Sequence, residues 1–282
     1  MLLAAPTLAD DLMQAVTRGE AVFHAAGGCS CHTDRARGGA ALAGGRAIKV
    51  PFGTFYATNI TPDRETGIGG WSEGDFVRSM REGVAPDGTH YFPVFPYTSF
   101  TNMSDADLSD LWAYLRAEPA VRLANRPHEI RAPYRWRVLL PLWKWLYFRA
   151  GPQAPDAAKP AEWNRGAYLV SGPGHCSECH TPRNRFGGVR DDLRLAGATD
   201  GPEGEAASNI TPDAETGIGN WKPQDIVWLM QTRGKPDGDS VQGLMAEEIE
   251  LGYGHLPQAD VEAVATYLLS LPPIAHRVEK KR

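Results

Sequence analysis

Every cysteine of the 282-residue chain lies in one of two short motifs that end in histidine. One motif is Cys176-Ser-Glu-Cys179-His180, and the other is Cys29-Ser-Cys31-His32. A Cys-x-x-Cys-His motif is the attachment signature of c-type haem, because its thiols form thioether bonds to the porphyrin and its imidazole ligates the iron. The motifs therefore predict two covalently bound haem c groups, with His32 and His180 as iron ligands.

The first motif departs from the standard spacing, because a single residue separates Cys29 from Cys31. Three interpretations stay open: two strained thioether bonds, one bond through Cys31 with Cys29 free, or a site that has lost its haem. The surrounding domain pattern is retained, which argues against loss. Zinc sites and redox dithiols also use paired cysteines, but zinc takes about four ligands and each motif offers three at most. A dithiol needs no histidine after it.

An iron that only transfers electrons needs a sixth ligand, which in cytochromes c is often methionine. In the second half of the chain we predict Met245, because it follows Pro-Asp-Gly in a segment that reads as an irregular loop. Met230 lies on a helical apolar stripe and is predicted to pack in the core. His255 is the main competitor for the iron.

In the first half we predict Met103 as the sixth ligand. It ends a loop rich in proline and aromatic residues, just before the last predicted helix of that half. Met80 aligns with Met230 and is therefore predicted to pack in the core. His90 is the minority alternative.

An internal repeat supplies the elements that position these residues. Asn-Ile-Thr-Pro-Asp begins at Asn59 and again at Asn209, and the two stretches match through Pro-Asp-Gly at a constant offset of 150 residues. The offset is 147 to 148 at the cysteine motifs and 153 in the last helix of each half. Such a repeat predicts two tandem domains, at 10–130 and 162–276, joined by a connector at 131–161.

Apolar periodicity predicts the same helices in both halves. Each half has a helix leading into its cysteines, a middle helix and a last helix with an i, i+3, i+4, i+7 apolar stripe. The predicted spans are 10–26, 73–82 and Leu108 to Leu115, then 162–171, 223–233 and Val261 to Leu268. The fold class is therefore predicted to be all-α, with two tandem cytochrome c-like domains and an aromatic, basic connector.

The net charge of −5 is unevenly distributed. Residues 1–130 carry −4, residues 131–165 carry +5 and residues 166–282 carry −6. Two acidic halves argue against nucleic acid as a partner and favour docking to another redox protein.

Within the connector, residues 134–148 are dense in aromatic and aliphatic side chains, interleaved with Arg135, Arg137 and Lys144. Three interpretations stay open. The segment is a clamp packed between the halves, a peripheral membrane-surface element, or a docking face for a partner subunit. It is too short to span a bilayer.

Residues 1–10 resemble the end of a signal peptide, with Thr7 and Ala9 in the small-residue pattern before a cleavage site. Covalent haem attachment is a chemistry of exported bacterial proteins. The sequence therefore predicts a periplasmic protein, associated with the inner membrane if the connector binds lipid.

The chain resembles the cytochrome c subunits of periplasmic membrane-bound alcohol, aldehyde and gluconate dehydrogenases. The resemblance rests on the stretch from His175 to Asn184, on Arg165-Gly-Ala-Tyr-Leu-Val, on both Asn-Ile-Thr-Pro-Asp stretches and on the aromatic connector. It covers most of the chain, although that family usually has three haem sites. Phe95 stands where the family places an axial methionine, which is the reason for predicting Met103 instead.

The resemblance implies haem domains that accept electrons from a dehydrogenase subunit and pass them to quinone, another cytochrome or an oxidase. We therefore predict a dihaem electron relay with no bond-making chemistry of its own. The alternative is a haem enzyme, a peroxidase or thiosulfate-oxidising cytochrome, which would use an open iron position at the first site. A structural or assembly subunit would require a redox-silent first haem.

Overall fold

The computed structural model describes residues 8–279, in which helices are the main regular elements. Residues 1–7, which carry most of the predicted leader, lie outside the described residues. The earlier helices are α1 (Leu8–Ala25), α2 (Glu73–Glu82), α3 (Tyr97–Phe100) and α4 (Asp105–Ala117), and the strands are β1 (Ala47–Val50), β2 (Gly53–Tyr56) and β3 (Glu129–Ile130). The later helices are α5 (Leu140–Tyr147), α6 (Ala161–Ser171), α7 (Ser177–His180), α8 (Pro223–Thr232), α9 (Gly243–Leu251) and α10 (Gln258–Leu269).

The helices predicted from periodicity occur where expected, within three residues at each compared end. Helix α2 begins with a capping box, in which the Ser72 hydroxyl accepts from the Asp75 N–H and the Asp75 carboxylate accepts from the Ser72 N–H, each at 3.1 Å. It ends at Gly83, whose φ of 64° is the left-handed conformation that favours glycine at this position. Helix α8, its counterpart in the repeat, begins with Pro223 in the first turn.

Each half crosses its first helix closely over its last. A Cβ at Gly19 of α1 would lie 2.0 Å from the carbonyl oxygen of Asp110 in α4, and one at Gly166 of α6 would lie 1.9 Å from that of Ala263 in α10. The neighbouring arginine bridges each crossing, since Arg18 binds Asp110 in the first half. The repeated Arg-Gly pair is therefore a helix-packing device.

Two separate clusters of buried apolar side chains form the main cores. The first draws on α1, α2 and α4, and the second on α6, α8, α9 and α10, together with Ala25 from the end of α1. The chain is mostly helical, as predicted. Its division into domains at 10–130 and 162–276 stays a prediction, which the two clusters support.

Strands β1, β2 and β3 form a small antiparallel sheet that the prediction of an all-α fold did not include. Beside it the connector helix α5 buries Leu140 against Phe55 and Phe92. Lys144 of α5 is buried as well, and its Nζ donates to the carbonyl oxygens of Glu82 at 2.6 Å and Gly83 at 2.8 Å. Burial lowers the pKa of Lys144 to about 8. Lys144 thus ties α5 to the carboxyl end of α2.

Candidate haem sites

The two motif histidines have the same hydrogen-bonded geometry. His180 at the end of α7 has its Nδ1 2.7 Å from the carbonyl oxygen of Ser208, and His32 has its Nδ1 2.7 Å from that of Thr58. A carbonyl only accepts, so Nδ1 carries the hydrogen and Nε2 is left as the atom that can bind a metal. Burial lowers the pKa of both imidazoles, which favours the neutral form that ligates iron.

The repeated Asn-Ile-Thr-Pro-Asp motif fixes these carbonyl groups, because each asparagine directly follows Thr58 or Ser208. The amide of Asn59 donates to the carbonyl oxygen of Val121 at 2.7 Å, and the amide of Asn209 donates to that of Ile274 at 2.8 Å. Each loop is thereby attached to the segment after the last helix of its half. Sequence reasoning did not assign Thr58 and Ser208, although their place before the repeated motif is a usable signal.

The four cysteines form no disulfide with one another, and all four are partly exposed. Cys29 packs against the first core cluster and Cys176 against the second. Burial raises the pKa of Cys29, Cys31 and Cys176 to about 12. The pKa of Cys179 is also raised, first by burial, then by Glu248 and Glu178, and then by Cys31.

The backbone compensates for the residue missing from the first motif. Gly27, Gly28 and Cys29 have φ values of 67°, 64° and 49°, whereas in the second motif the left-handed residue is His175, with a φ of 39°, and Cys176 has a helical φ of −55°. Left-handed backbone costs a non-glycine residue roughly 1–2 kcal/mol. In the first motif the left-handed turn thus includes the cysteine itself, and the number of thioether bonds formed there stays a prediction.

Met245 lies in helix α9, so the prediction that its segment is an irregular loop is wrong. The glycine at position 243 suggested a loop, but it stands at the first turn of the helix with a φ of 63°. Met245 is partly buried and packs against the second core cluster, as Cys176 does.

Met103 is fully buried in the first core cluster, immediately before Ser104, which caps α4. The two methionines occupy different positions of the repeat. At the offset of 150 residues the counterpart of Met245 is Phe95, and at the offset of 153 residues the counterpart of Met103 is Leu256, a core residue. Their roles as iron ligands stay predictions.

The competing side chains have structural contacts of their own. Nε2 of His255 lies 3.1 Å from the carbonyl oxygen of Glu250, and its ring stacks on His24 with centroids 4.6 Å apart. Nδ1 of His90 accepts from Lys144 Nζ at 3.0 Å. Met80 and Met230 are buried in the two cores, which confirms the prediction that they pack there.

Glu248 and Glu178 are site residues that sequence reasoning missed. Glu248 of α9 accepts a hydrogen bond from Ser30 in the first motif, and burial raises its pKa. Glu178 in the second motif accepts hydrogen bonds from α3. Ser30 and Glu248 are 218 residues apart, so no local sequence pattern predicts their contact.

The donor set fits haem c better than zinc. Within residues 8–279, no three His, Cys, Asp or Glu side chains converge as a metal centre would require. Each motif instead offers two thiols and one oriented imidazole. Among the same residues, no helix has the length and apolar character needed to cross a bilayer.

A curated relative from Cereibacter sphaeroides, named "Diheme cytochrome c-type", is 39% identical over 274 residues, which are 95% of this chain and 90% of that protein. The chain belongs to the dihaem c-type cytochromes. This cytochrome is also 38% identical to the fructose dehydrogenase cytochrome subunit of Gluconobacter japonicus and 42% identical to a nicotinate dehydrogenase subunit of Pseudomonas putida. No family model matches it.

The cytochrome covers 54% of the fructose dehydrogenase subunit and 20% of the nicotinate dehydrogenase subunit. The predicted resemblance to dehydrogenase cytochrome subunits is confirmed. The cytochrome is an electron-transfer protein and not a catalytic subunit, as the sequence predicts.

Proposed function

We propose that the cytochrome carries two covalently bound haem c groups and relays single electrons from a periplasmic dehydrogenase to a separate acceptor. The observation that carries the proposal is the duplicated imidazole geometry. His32 and His180 each donate from Nδ1 to a carbonyl at 2.7 Å, which presents Nε2 as a ligand at both motifs.

The haem groups supply the redox chemistry when bound. The chain supplies Cys176 and Cys179 for the second attachment, and Cys29 and Cys31 for the first. The matching core contacts of Cys29 and Cys176 favour thioether bonds through both cysteines of the first motif. Met245 and Met103 are the proposed sixth ligands.

The names of the relatives support a dehydrogenase partner. They include a fructose dehydrogenase subunit, a quinone-type alcohol dehydrogenase subunit and a gluconate 2-dehydrogenase subunit. Quinone, another cytochrome and an oxidase are the proposed classes of acceptor. Covalent haem attachment supports a periplasmic location.

A pyridine haemochrome assay on the purified cytochrome should give two haem groups per chain. We expect one haem after Cys176→Ala with Cys179→Ala, and one after Cys29→Ala with Cys31→Ala, because each pair attaches its own group. One haem in the unaltered chain would contradict the proposal, and the double variants would identify the motif that has lost its haem.

The connector helix α5 is proposed to rest on a membrane surface. Its inner face is held by Leu140 and Lys144, whereas Leu142, Trp145 and Leu146 are 57%, 71% and 54% exposed. Exposed aromatic and aliphatic side chains beside arginines suit the interface of an anionic bilayer. Trp143 also donates to the carbonyl oxygen of Phe186 at 2.8 Å, which supports a clamp role for the same helix.

Replacing Leu142, Trp145 and Leu146 together with serine should strongly weaken co-sedimentation with vesicles that contain anionic lipid. The reason is the loss of most of the apolar area that α5 itself exposes, although exposed apolar residues just before the helix remain. Trp228→Ser is the matched control, because Trp228 is 58% exposed but lies on α8. Equal vesicle binding by the triple variant and the control would refute membrane docking and leave the partner-subunit interpretation of this face.

A further inference from the structure

Hydrogen bonds hold each attachment motif against the opposite half of the chain. In the first motif, Ser30 is 4% exposed and donates from Oγ to Oε1 of Glu248 in α9. In the second motif, Glu178 accepts at Oε1 from Thr98 Oγ1 and from Ser99 Oγ of α3, both at 2.6 Å. Each motif is therefore tied to a helix of the other half, and not only to its own core.

The two contacts are related by the internal repeat. Ser30 and Glu178 each stand directly before the second cysteine of their motif, and Glu248 follows Thr98 at the repeat offset of 150 residues. The same pair of positions thus meets twice, as in an isologous interface between two copies. Donor and acceptor are exchanged, because the carboxylate lies in the motif at one contact and in the helix at the other.

The contacts differ in how well their carboxylates are satisfied. Oε2 of Glu178 is paired with Arg183, so both of its oxygens have partners. Oε2 of Glu248 is buried and has no hydrogen-bond partner among the described residues. It approaches Gly27 so closely that a Cβ there would lie 1.6 Å away. A buried, unpartnered carboxylate oxygen is costly, so stability alone does not explain Glu248.

Glu248 lies against the first motif, since Ser30 donates to one of its carboxylate oxygens and the other oxygen approaches Gly27. Just after α9, the hydroxyl of Tyr253 donates to the carbonyl oxygen of Gly174, directly before the second motif, at 2.7 Å. Two further contacts surround it, since Arg46 binds Glu247 at 2.5 Å and His24 Nδ1 lies 3.2 Å from the carbonyl oxygen of Leu251. The carboxyl half of α9 is therefore fastened to the first half of the chain on both sides of Glu248.

We propose that Glu248 is a positioning residue that, through Ser30, holds the first attachment motif against the second and so sets the separation of the two haem groups. This inference rests on the proposed function, because it requires a haem at each motif. Glu178 with Thr98 and Ser99 is the reciprocal contact. Because Glu178 is also paired with Arg183, the position of the second motif is expected to depend less on any single hydrogen bond.

The test compares variants that separate the hydrogen bond between Ser30 and Glu248 from the negative charge of Glu248. Glu248→Gln keeps an acceptor oxygen for Ser30, whereas Glu248→Ala and Ser30→Ala each remove one side of the contact. In the holo protein, pulsed electron paramagnetic resonance would measure the coupling between the two ferric haems, and flash photolysis would measure the rate of electron exchange between them. We expect Glu248→Ala and Ser30→Ala to weaken the coupling and to slow exchange by roughly tenfold or more.

Glu248→Gln should keep both values within about twofold of the unaltered protein. Glu250→Ala is the matched control on the same helix, because Glu250 is exposed and its side chain pairs with Arg35 at 3.3 Å and not with a residue of either motif. The haem count and the helical circular dichroism should stay unchanged in Ser30→Ala, whereas its melting temperature should fall modestly because Glu248 loses a hydrogen bond. A general loss of structure would lower all three. Unchanged coupling in both Ser30→Ala and Glu248→Ala would overturn the inference, as would a Glu248→Gln variant as impaired as Glu248→Ala. If the unaltered protein holds one haem, the proposed function fails as well, and the haem count alone reveals it.

Discussion

Replacing Met245 with leucine is expected to remove the charge-transfer band at about 700 nm that a methionine-ligated ferric haem c gives, for the second haem only. The reduction potential of that haem should fall by a few tenths of a volt, within the range of about 0.8 V that axial ligands span, because thioether sulfur favours the ferrous state. Leucine conserves the volume of the side chain, so the packing of Met245 against the second core cluster is retained. Optical spectra of the oxidised protein and a potentiometric titration measure the two effects.

Met230→Leu is the matched control, because Met230 is a buried methionine of the same core cluster on α8. It should leave both the band and the potential unaltered. An unchanged spectrum in Met245→Leu, or the same loss in Met230→Leu, would show that the second iron takes its sixth ligand elsewhere. His255 would then be the next candidate, although its Nε2 already faces the carbonyl oxygen of Glu250.

The attachment chemistry was predictable from sequence because it is local. Two thiols and an imidazole within five residues identify the second motif, and apolar periodicity with capping residues predicted helices such as α2, whose bounds match the prediction. The repeat also identified residues with structural roles. Its Arg-Gly pairs lie where the first and last helices of each half cross, and its asparagines fix the carbonyl groups that orient the histidines.

The remaining features depend on contacts that no local pattern records. Strands β1 and β2 have four residues each, which is too short for a clear alternation. Gly243 suggested a loop at Met245, yet the segment is helical because α9 packs on the first motif. The Ser30 to Glu248 contact joins residues that the chain separates by most of its length. Tertiary packing therefore decided these elements against weak local preference.

The sixth ligand of the first iron is the second feature to test. Its predicted ligand, Met103, does not stand at the position of the repeat that Met245 occupies in the second half. Met103 is a fully buried methionine in the same core cluster as Phe95, Phe100 and Cys29. The position equivalent to Met245, however, holds Phe95, which has no atom that ligates iron. Met103 replaces the missing sulfur, His90 takes the sixth position as the minority alternative, or the first iron keeps an open position, as the haem-enzyme alternative requires.

Met103→Leu is expected to remove the band at about 700 nm from the first haem and to let its ferrous form bind carbon monoxide. The substitution removes the sulfur and costs less than about 1.5 kcal/mol of stability, since it conserves volume in a buried site. Met80→Leu is the matched control, because Met80 lies in the same cluster on α2 and should change neither the band nor carbon monoxide binding. Optical spectra with and without carbon monoxide measure the result.

Phe95→Met tests the other possibility, in which Met103 does not ligate the first iron. If the unaltered protein already binds carbon monoxide at its first haem, and Met103→Leu changes nothing, the prediction for Met103 is wrong. A sulfur placed at position 95 would then occupy the counterpart of Met245, so Phe95→Met should create the missing band and block carbon monoxide. If Met103 is the ligand, Phe95→Met should leave the band in place, because the sixth position is already taken. The two variants together decide between a relay with two methionine-ligated haems and a cytochrome whose first iron is open to a substrate.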